Sequence, residues 1–177
     1  MNKKVANYFF SDVHMAHNVT PTAKIAEEIM EVFTEEFKKY LDLDAQVITI
    51  YIGGDFYDRL VNLSQIESYE VDVFIFKFLR FCKKYNAQLR ILEGTPSHDW
   101  KQSRRFELIN EEAKLEVDLK YFDTLSIEYN DVTDLYVLYV PDEWEENPEE
   151  TLSQVKDLLI ANNIDKVDIA VMHGNFE

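Results

Sequence analysis

Asp12 and His14 stand two residues apart at the end of the first apolar run. A carboxylate and an imidazole are two of the side chains that bind transition-metal ions. On an extended strand alternate side chains point to the same side, so this spacing predicts that both grip one ion. Gly53-Gly54-Asp55-Phe56-Tyr57-Asp58-Arg59 follows the most apolar run of the chain. Its glycines permit a close turn and set Asp55 just beyond the sheet edge, where one carboxylate can bridge two cations. Gly94-Thr95-Pro96-Ser97-His98-Asp99 closes the next strand, and His173-Gly174 closes the last. Each piece alone has an ordinary account: a charged strand end in water, a strand-to-loop cap, a surface or core histidine. Chance does not readily supply four of them in succession, each at a predicted strand end.

The elements that must position these groups follow from apolar periodicity. Val5 to Asp12 reads as a strand. Thr20 and Pro21 resemble a cap and a first-turn proline, followed at helical spacing by Ile25, Ile29, Val32, Phe33 and Phe37 toward Tyr40. Val47 to Ile52 has the continuous β-branched character of a strand covered on both faces. A second helix is predicted over Ile66 to Tyr85, a strand over Gln88 to Leu92, and a third helix from Asp99 to Ala113. Lys114 to Phe122, Leu125 to Tyr129 and Leu135 to Val140 read as consecutive strands with local antiparallel pairing, and Asn130-Asp131 supplies turn chemistry. Pro148 to Asn162 is the last predicted helix and Val167 to Met172 the last strand. The expected class is α/β, in one domain spanning residues 1–177.

Composition narrows the function. The chain has 177 residues, 46% of them hydrophobic, enough for one sizeable core. The run from Val47 to Gly54 is far shorter than the eighteen or so apolar residues of a membrane span, so no membrane partner is expected. A single cysteine, Cys82, forms no internal disulfide and suits a reducing cytoplasm. The net charge is −16, and Asp142 to Glu150 alone carries six acids. That is a poor footprint for a polyanion binder. Most of the carboxylates are expected to solvate outer faces, while a few line a site where cations reverse the local sign.

The succession Asp-x-His, Gly-Asp-x-x-Asp-Arg, a glycine loop ending in His-Asp, and His-Gly resembles the calcineurin-like metallophosphoesterase superfamily from Phe10 to Gly174, with its nuclease-like branch the nearer match. The resemblance implies a layered α/β/β/α sandwich with mixed sheets. It also implies two divalent ions, Mn²⁺ first and Fe or Zn²⁺ as alternatives, because mixed Asp and His ligation disfavours Mg²⁺ and Ca²⁺. Asp12 and His14 would hold one ion, Asp55 would bridge both, and His173 would bind the second. His98 would be the catalytic histidine with Asp58 orienting it, and Arg59 would meet a phosphate oxygen. Lys101, Arg104 and Arg105, expected on one helical face after His98, would help place a substrate phosphate. His17 and Trp100 are read as a loop histidine and a structural aromatic. The implied reaction is hydrolysis of a phosphodiester by hydroxide held between the metals.

The substrate expected from the branch is DNA. The alternatives are a small phosphodiester or monoester, which the acidic composition favours, and a catalytically silent scaffold of the same fold. The sequence departs from the family in two places. Thr95-Pro96-Ser97 stands where the family carries an Asn ligand, so a hydroxyl of Thr95 or Ser97, a carbonyl or water must substitute. No Gly-x-His-x-His motif follows His173, so a partner subunit or a further C-terminal segment is expected to complete the site.

Overall fold

The computed structural model describes residues 4–40, 46–62, 64–142 and 148–174. The chain is a mixed α/β protein with a parallel four-stranded sheet and a second sheet of three strands. The first sheet has the order β1 (Lys4–Phe10), β2 (Gln46–Gly53), β3 (Ala87–Leu92), β4 (Leu119–Phe122). Helices α1 (Thr22–Tyr40) and α2 (Ile66–Tyr85) are the crossovers between its first three strands. Helix α3 (Arg105–Glu112) precedes β4. The second sheet contains β5 (Ser126–Asn130) and β6 (Leu135–Val140), paired antiparallel, with β7 (Ile169–Met172) parallel to β6 after helix α4 (Pro148–Ala161).

Period-two alternation explains why β3 and the centre of β2 are buried on both faces. Ile48, Ile50 and Ile52 of β2, with Leu89 and Ile91 of β3, pack in the cluster that holds Phe74, Phe78 and Leu79 of α2 and Phe33 of α1. The intervening residues face the second sheet: Tyr51 and Leu92 pack with Val137, Tyr139 and Val171. Polar pairs cross the same gap. Arg90 of β3 donates from Nε to both carboxylate oxygens of Glu128 on β5, at 3.0 and 2.9 Å, and Asn130 donates to Gln88 at 2.8 Å. Helix α2 contributes most to the first core, since each buried Phe is worth about 1.5–3 kcal/mol. Its rings Phe74, Phe78 and Phe81 stack in series.

Three expectations are corrected. Strand β4 pairs parallel with β3 in the first sheet, not antiparallel with β5, because the turn at 123–125 carries the chain from one sheet to the other. Val32, placed on the apolar stripe of α1, is exposed; the buried stripe runs through Phe33, and the side chain of Phe37 lies outside the described residues. The third helix begins at Arg105 after a 3-10 turn over Gln102–Arg104, because Trp100 and Lys101 adopt left-handed backbones with φ of 36° and 62°. Most of the acidic run, with Trp144, lies outside the described residues. Among the described residues no helix is long and apolar enough to cross a membrane.

Candidate metal centre

Parallel register delivers the loops to one edge. Phe10 lies opposite Ile52 and Gly53 opposite Leu92, so the chain leaves β1, β2 and β3 side by side. In the second sheet Val140 lies opposite Met172, and the His173 N–H donates to the Val140 carbonyl at 2.9 Å. His173 thereby reaches the same edge, the usual place for sites in parallel α/β sheets.

Asp12 and His14 converge for a reason other than strand alternation. Strand β1 ends at Phe10, and both residues are left-handed, with φ of 53° and 52°. What turns them inward is a backbone zipper onto the loop after β2. Asp12 N–H donates to Gly54 O at 3.1 Å, His14 N–H to Asp55 O at 3.2 Å, and Met15 N–H to Phe56 O at 2.8 Å; Asp58 N–H returns a bond to Met15 O at 2.8 Å. Among the described residues, six of the eleven non-glycine residues with positive φ (Asp12, His14, Ala16, Asp55, Trp100, Lys101) belong to these loops. Each such conformation costs on the order of 1–3 kcal/mol, and strain concentrated in this way is typical of functional loops.

Asp55 is buried, and Thr95 holds it by a backbone N–H at 2.7 Å from Oδ1 and a hydroxyl at 3.3 Å from Oδ2. His173 Nδ1 lies 2.9 Å from the Gly53 carbonyl. A carbonyl only accepts, so Nδ1 carries a proton, and in the neutral ring Nε2 then presents its lone pair. That lone pair faces Asp55 Oδ1 at 3.2 Å, and an ionised carboxylate is also only an acceptor. Two acceptors so placed need a proton or a cation between them. The Thr95 hydroxyl, 3.3 Å from both Asp55 Oδ2 and His173 Nε2, has one proton for the two. A separation of 3.2 Å is close to the about 3.0 Å between neighbouring ligands of an octahedral ion bound at about 2.1 Å. Asp12, His14 and Asp55 also present ligand atoms within 4.8 Å of one another. The donor set therefore fits divalent cations.

Glycine is required at two points of this frame. A Cβ on Gly54, whose φ is 97°, would stand 2.5 Å from His173 Cγ, and one on Gly94 would stand 2.1 Å from Asp55 N. Asp99 locks the second approach. Fully buried, it accepts from Tyr57 N–H at 2.9 Å and from Gly94 N–H at 3.0 Å, so one carboxylate ties the loop after β2 to the loop after β3. Burial pushes its pKa up to about 7 despite these two bonds. Sequence reading took Asp99 only as a helix start; the available signal was a carboxylate directly after the loop histidine.

The remaining predicted residues are distributed as follows. His98 lies beside His14, with ring centroids 5.2 Å apart. Asp58 stands 3.4 Å from His14 Nδ1, too poorly aligned for a hydrogen bond, and the expected hydrogen bond from His98 to Asp58 is not formed. The Nδ1 atoms of both histidines are buried without a hydrogen-bond partner. Arg59 is turned into the scaffold, donating to Ala16 O at 3.2 Å and pairing with Glu67 at 3.6 Å. Lys101, Arg104 and Arg105 do not share a helical face: Lys101 pairs with Asp123, Arg104 lies over the Tyr121 ring, and Arg105 pairs with Asp72. His17 accepts the N–H groups of Val19 and Thr20 in an exposed turn.

A cleft of about 620 Å³ opens beside Asp12, Asp55 and His173, with Phe9, Met172 and Asp142 on its other walls. Its described lining includes three carboxylates and no Lys or Arg. Comparison with models of known protein families and with curated proteins finds no match.

Proposed function

We propose that this protein is a metal-dependent phosphoesterase of the calcineurin-like type, acting on a small phosphodiester rather than on DNA. The observation that carries the reading is the placement of His173, whose Nδ1 is held at 2.9 Å by Gly53 O so that Nε2 is aimed at the Asp55 carboxylate 3.2 Å away. Hydrogen bonding the distal ring nitrogen to a backbone carbonyl is how proteins orient a metal-ligating histidine. The layering supports the α/β/β/α sandwich: α1 to α3, the parallel sheet, the mixed sheet, and α4 against β5.

Asp12, His14, Asp55 and His173 would hold two divalent ions, Mn²⁺ before Fe or Zn²⁺. Bound there, the ions would acidify a water and offset the charge of the phosphate. The chain's own groups do the rest. Gly54 and Gly94 let the loops close on the ligands, Asp99 fixes their spacing, and Thr95, standing where the family carries Asn, holds both Asp55 and His173. His98, next to His14, supplies the proton to the departing oxygen. A small substrate is favoured because the described lining of the cleft offers no cation to a polyanionic backbone, while Arg59, Lys101 and Arg104 are engaged elsewhere.

The test is Mn²⁺ titration calorimetry together with hydrolysis of a chromogenic phosphodiester, a phosphomonoester and single-stranded DNA. Metal-dependent diester hydrolysis that Asp55→Asn abolishes is expected, with DNA a poor substrate. Binding without turnover of any ester would leave only a metal-binding scaffold, and efficient DNA cleavage would restore the nuclease reading.

A further inference from the structure

The ligand geometry around His14 is double. Besides Asp12 and Asp55, His14 groups with Asp58 and His98, and the ligand atoms of this second set also lie within 4.8 Å of one another. We infer that His14, Asp58 and His98 form a separate cation position, one that takes a borderline ion such as Zn²⁺ and, when filled, withdraws His98 from proton transfer. The inference builds on the metal-dependent reading above and adds an inhibitory site to it.

Three observations carry it. The first is the pair of orphaned nitrogens: His14 Nδ1 and His98 Nδ1 are both cut off from solvent and have no hydrogen-bond partner. An unsatisfied buried polar atom costs about 1–3 kcal/mol, and here two stand on neighbouring rings whose centroids are 5.2 Å apart, which calls for a shared partner. The second is Asp58. Its carboxylate stands 3.4 Å from His14 Nδ1 without forming a hydrogen bond, whereas neighbouring ligands of a tetrahedral zinc bound at about 2.1 Å are about 3.4 Å apart. The third is the donor set. Two imidazoles and one carboxylate suit Zn²⁺ or Fe²⁺, while Mn²⁺ prefers sites richer in oxygen, such as the one that includes Asp12 and Asp55. His14 belongs to both sets, so ions at the two positions compete for its ring. The loop after β2 supplies a carboxylate to each set, Asp55 to one and Asp58 to the other. Mn²⁺ then supports turnover, whereas excess Zn²⁺ fills the second position and stops it.

The chain has four histidines, so their ring nitrogens can be resolved by long-range ¹H–¹⁵N correlation and assigned with single-site variants. Metal-free wild-type protein titrated with Zn²⁺ is expected to show the His14 and His98 nitrogens moving together, and His17 unmoved. In Asp58→Asn the Zn²⁺ concentration needed to move His98 should rise at least tenfold, with the His173 response retained. If His14 and His173 respond and His98 does not, the second position is refuted and the metal-dependent reading stands. If no histidine responds, both fall.

Discussion

Arg90 is the residue whose loss tests the architecture most directly. It is 2% exposed and holds the two sheets together: Nε bonds both oxygens of Glu128, and Nη1 reaches Asp118 Oδ1 at 2.9 Å and the carbonyls of Leu89 and Asp118 at 3.1 Å each. Replacing it by Met strands a carboxylate that is itself buried. Breaking a buried pair from one side costs about 3–5 kcal/mol. The low end applies, because Lys120 and the Tyr139 hydroxyl still contact Glu128 and the half-exposed Asp118 is rehydrated. About 3 kcal/mol is a large share of the roughly 5–15 kcal/mol that holds a domain folded. In Arg90→Met/Glu128→Gln the stranded charge is gone, so at least about 1 kcal/mol should return. Urea melts at pH 7 of the wild type, both single variants and the double variant measure this as a cycle.

The same network sets an acid limit. Burial alone would raise the Glu128 pKa, but hydrogen bonds from Arg90 and Lys120 and the Arg90 charge hold it below its ordinary 4.5; Asp118 is likewise lowered, by Gln88 and Arg90 against its burial. A depressed carboxylate stabilises the fold above its unfolded pKa and loses that contribution as pH falls through the folded value. Wild-type stability should therefore drop below about pH 4.5, and less steeply in Arg90→Met. Strictly additive single variants, or an unchanged acid limb in Arg90→Met, would refute the reasoning.

Gly94→Ala puts a methyl 2.1 Å from Asp55 N, which the loop can relieve only by moving. We expect a loss of about 3 kcal/mol in urea melts and at least tenfold weaker Mn²⁺ binding by calorimetry; unchanged binding would show that the Gly94 approach does not set the ligand frame. Asp99→Asn turns an amide NH₂ toward one of the two N–H groups that the carboxylate accepts, a loss of about 1.5–3 kcal/mol. Because burial raises Asp99 from its ordinary 3.8 to about 7, the folded state holds a proton that the unfolded chain has lost between those values, so the wild-type decline from about pH 4 to 7 should flatten in the variant. Cys82 is fully buried with its thiol pushed up to about 12. Iodoacetamide at pH 8 should label it at the rate of unfolding, and labelling at the rate of a free thiol would contradict its burial.

Much of this frame can be read from residue order. The β-branched run at Val47 to Ile52 marks a central strand because Ile48, Ile50 and Ile52 serve one core while Thr49 and Tyr51 serve the other face. The limits of α2 follow from its apolar spacing and from Asn86, which closes it in the left-handed conformation. What periodicity cannot carry is anything decided by partners far along the chain. The place of β4 depends on a pairing with β3, roughly thirty residues earlier, and the local run of three strands argues for a hairpin instead. Lys101 and Arg104 are on offer to a phosphate by type, yet Asp123 and Tyr121 claim them through contacts that exist only after folding.

Asp12 and His14 show how a sound expectation can rest on the wrong mechanism. Alternation along a strand would bring them together only with an extended backbone through Val13, and both residues are left-handed. Their convergence is produced by four backbone bonds to the loop that carries Asp55 and Asp58. The consequence is functional as well as geometric. A pleated strand would fix Asp12 and His14 relative to β1, whereas the zipper fixes them relative to Asp55, the carboxylate with which they group as a possible cation site. A substitution that disturbs the turn at Gly53-Gly54 should therefore shift all the ligands from both loops together, and weaken binding at both positions rather than at one.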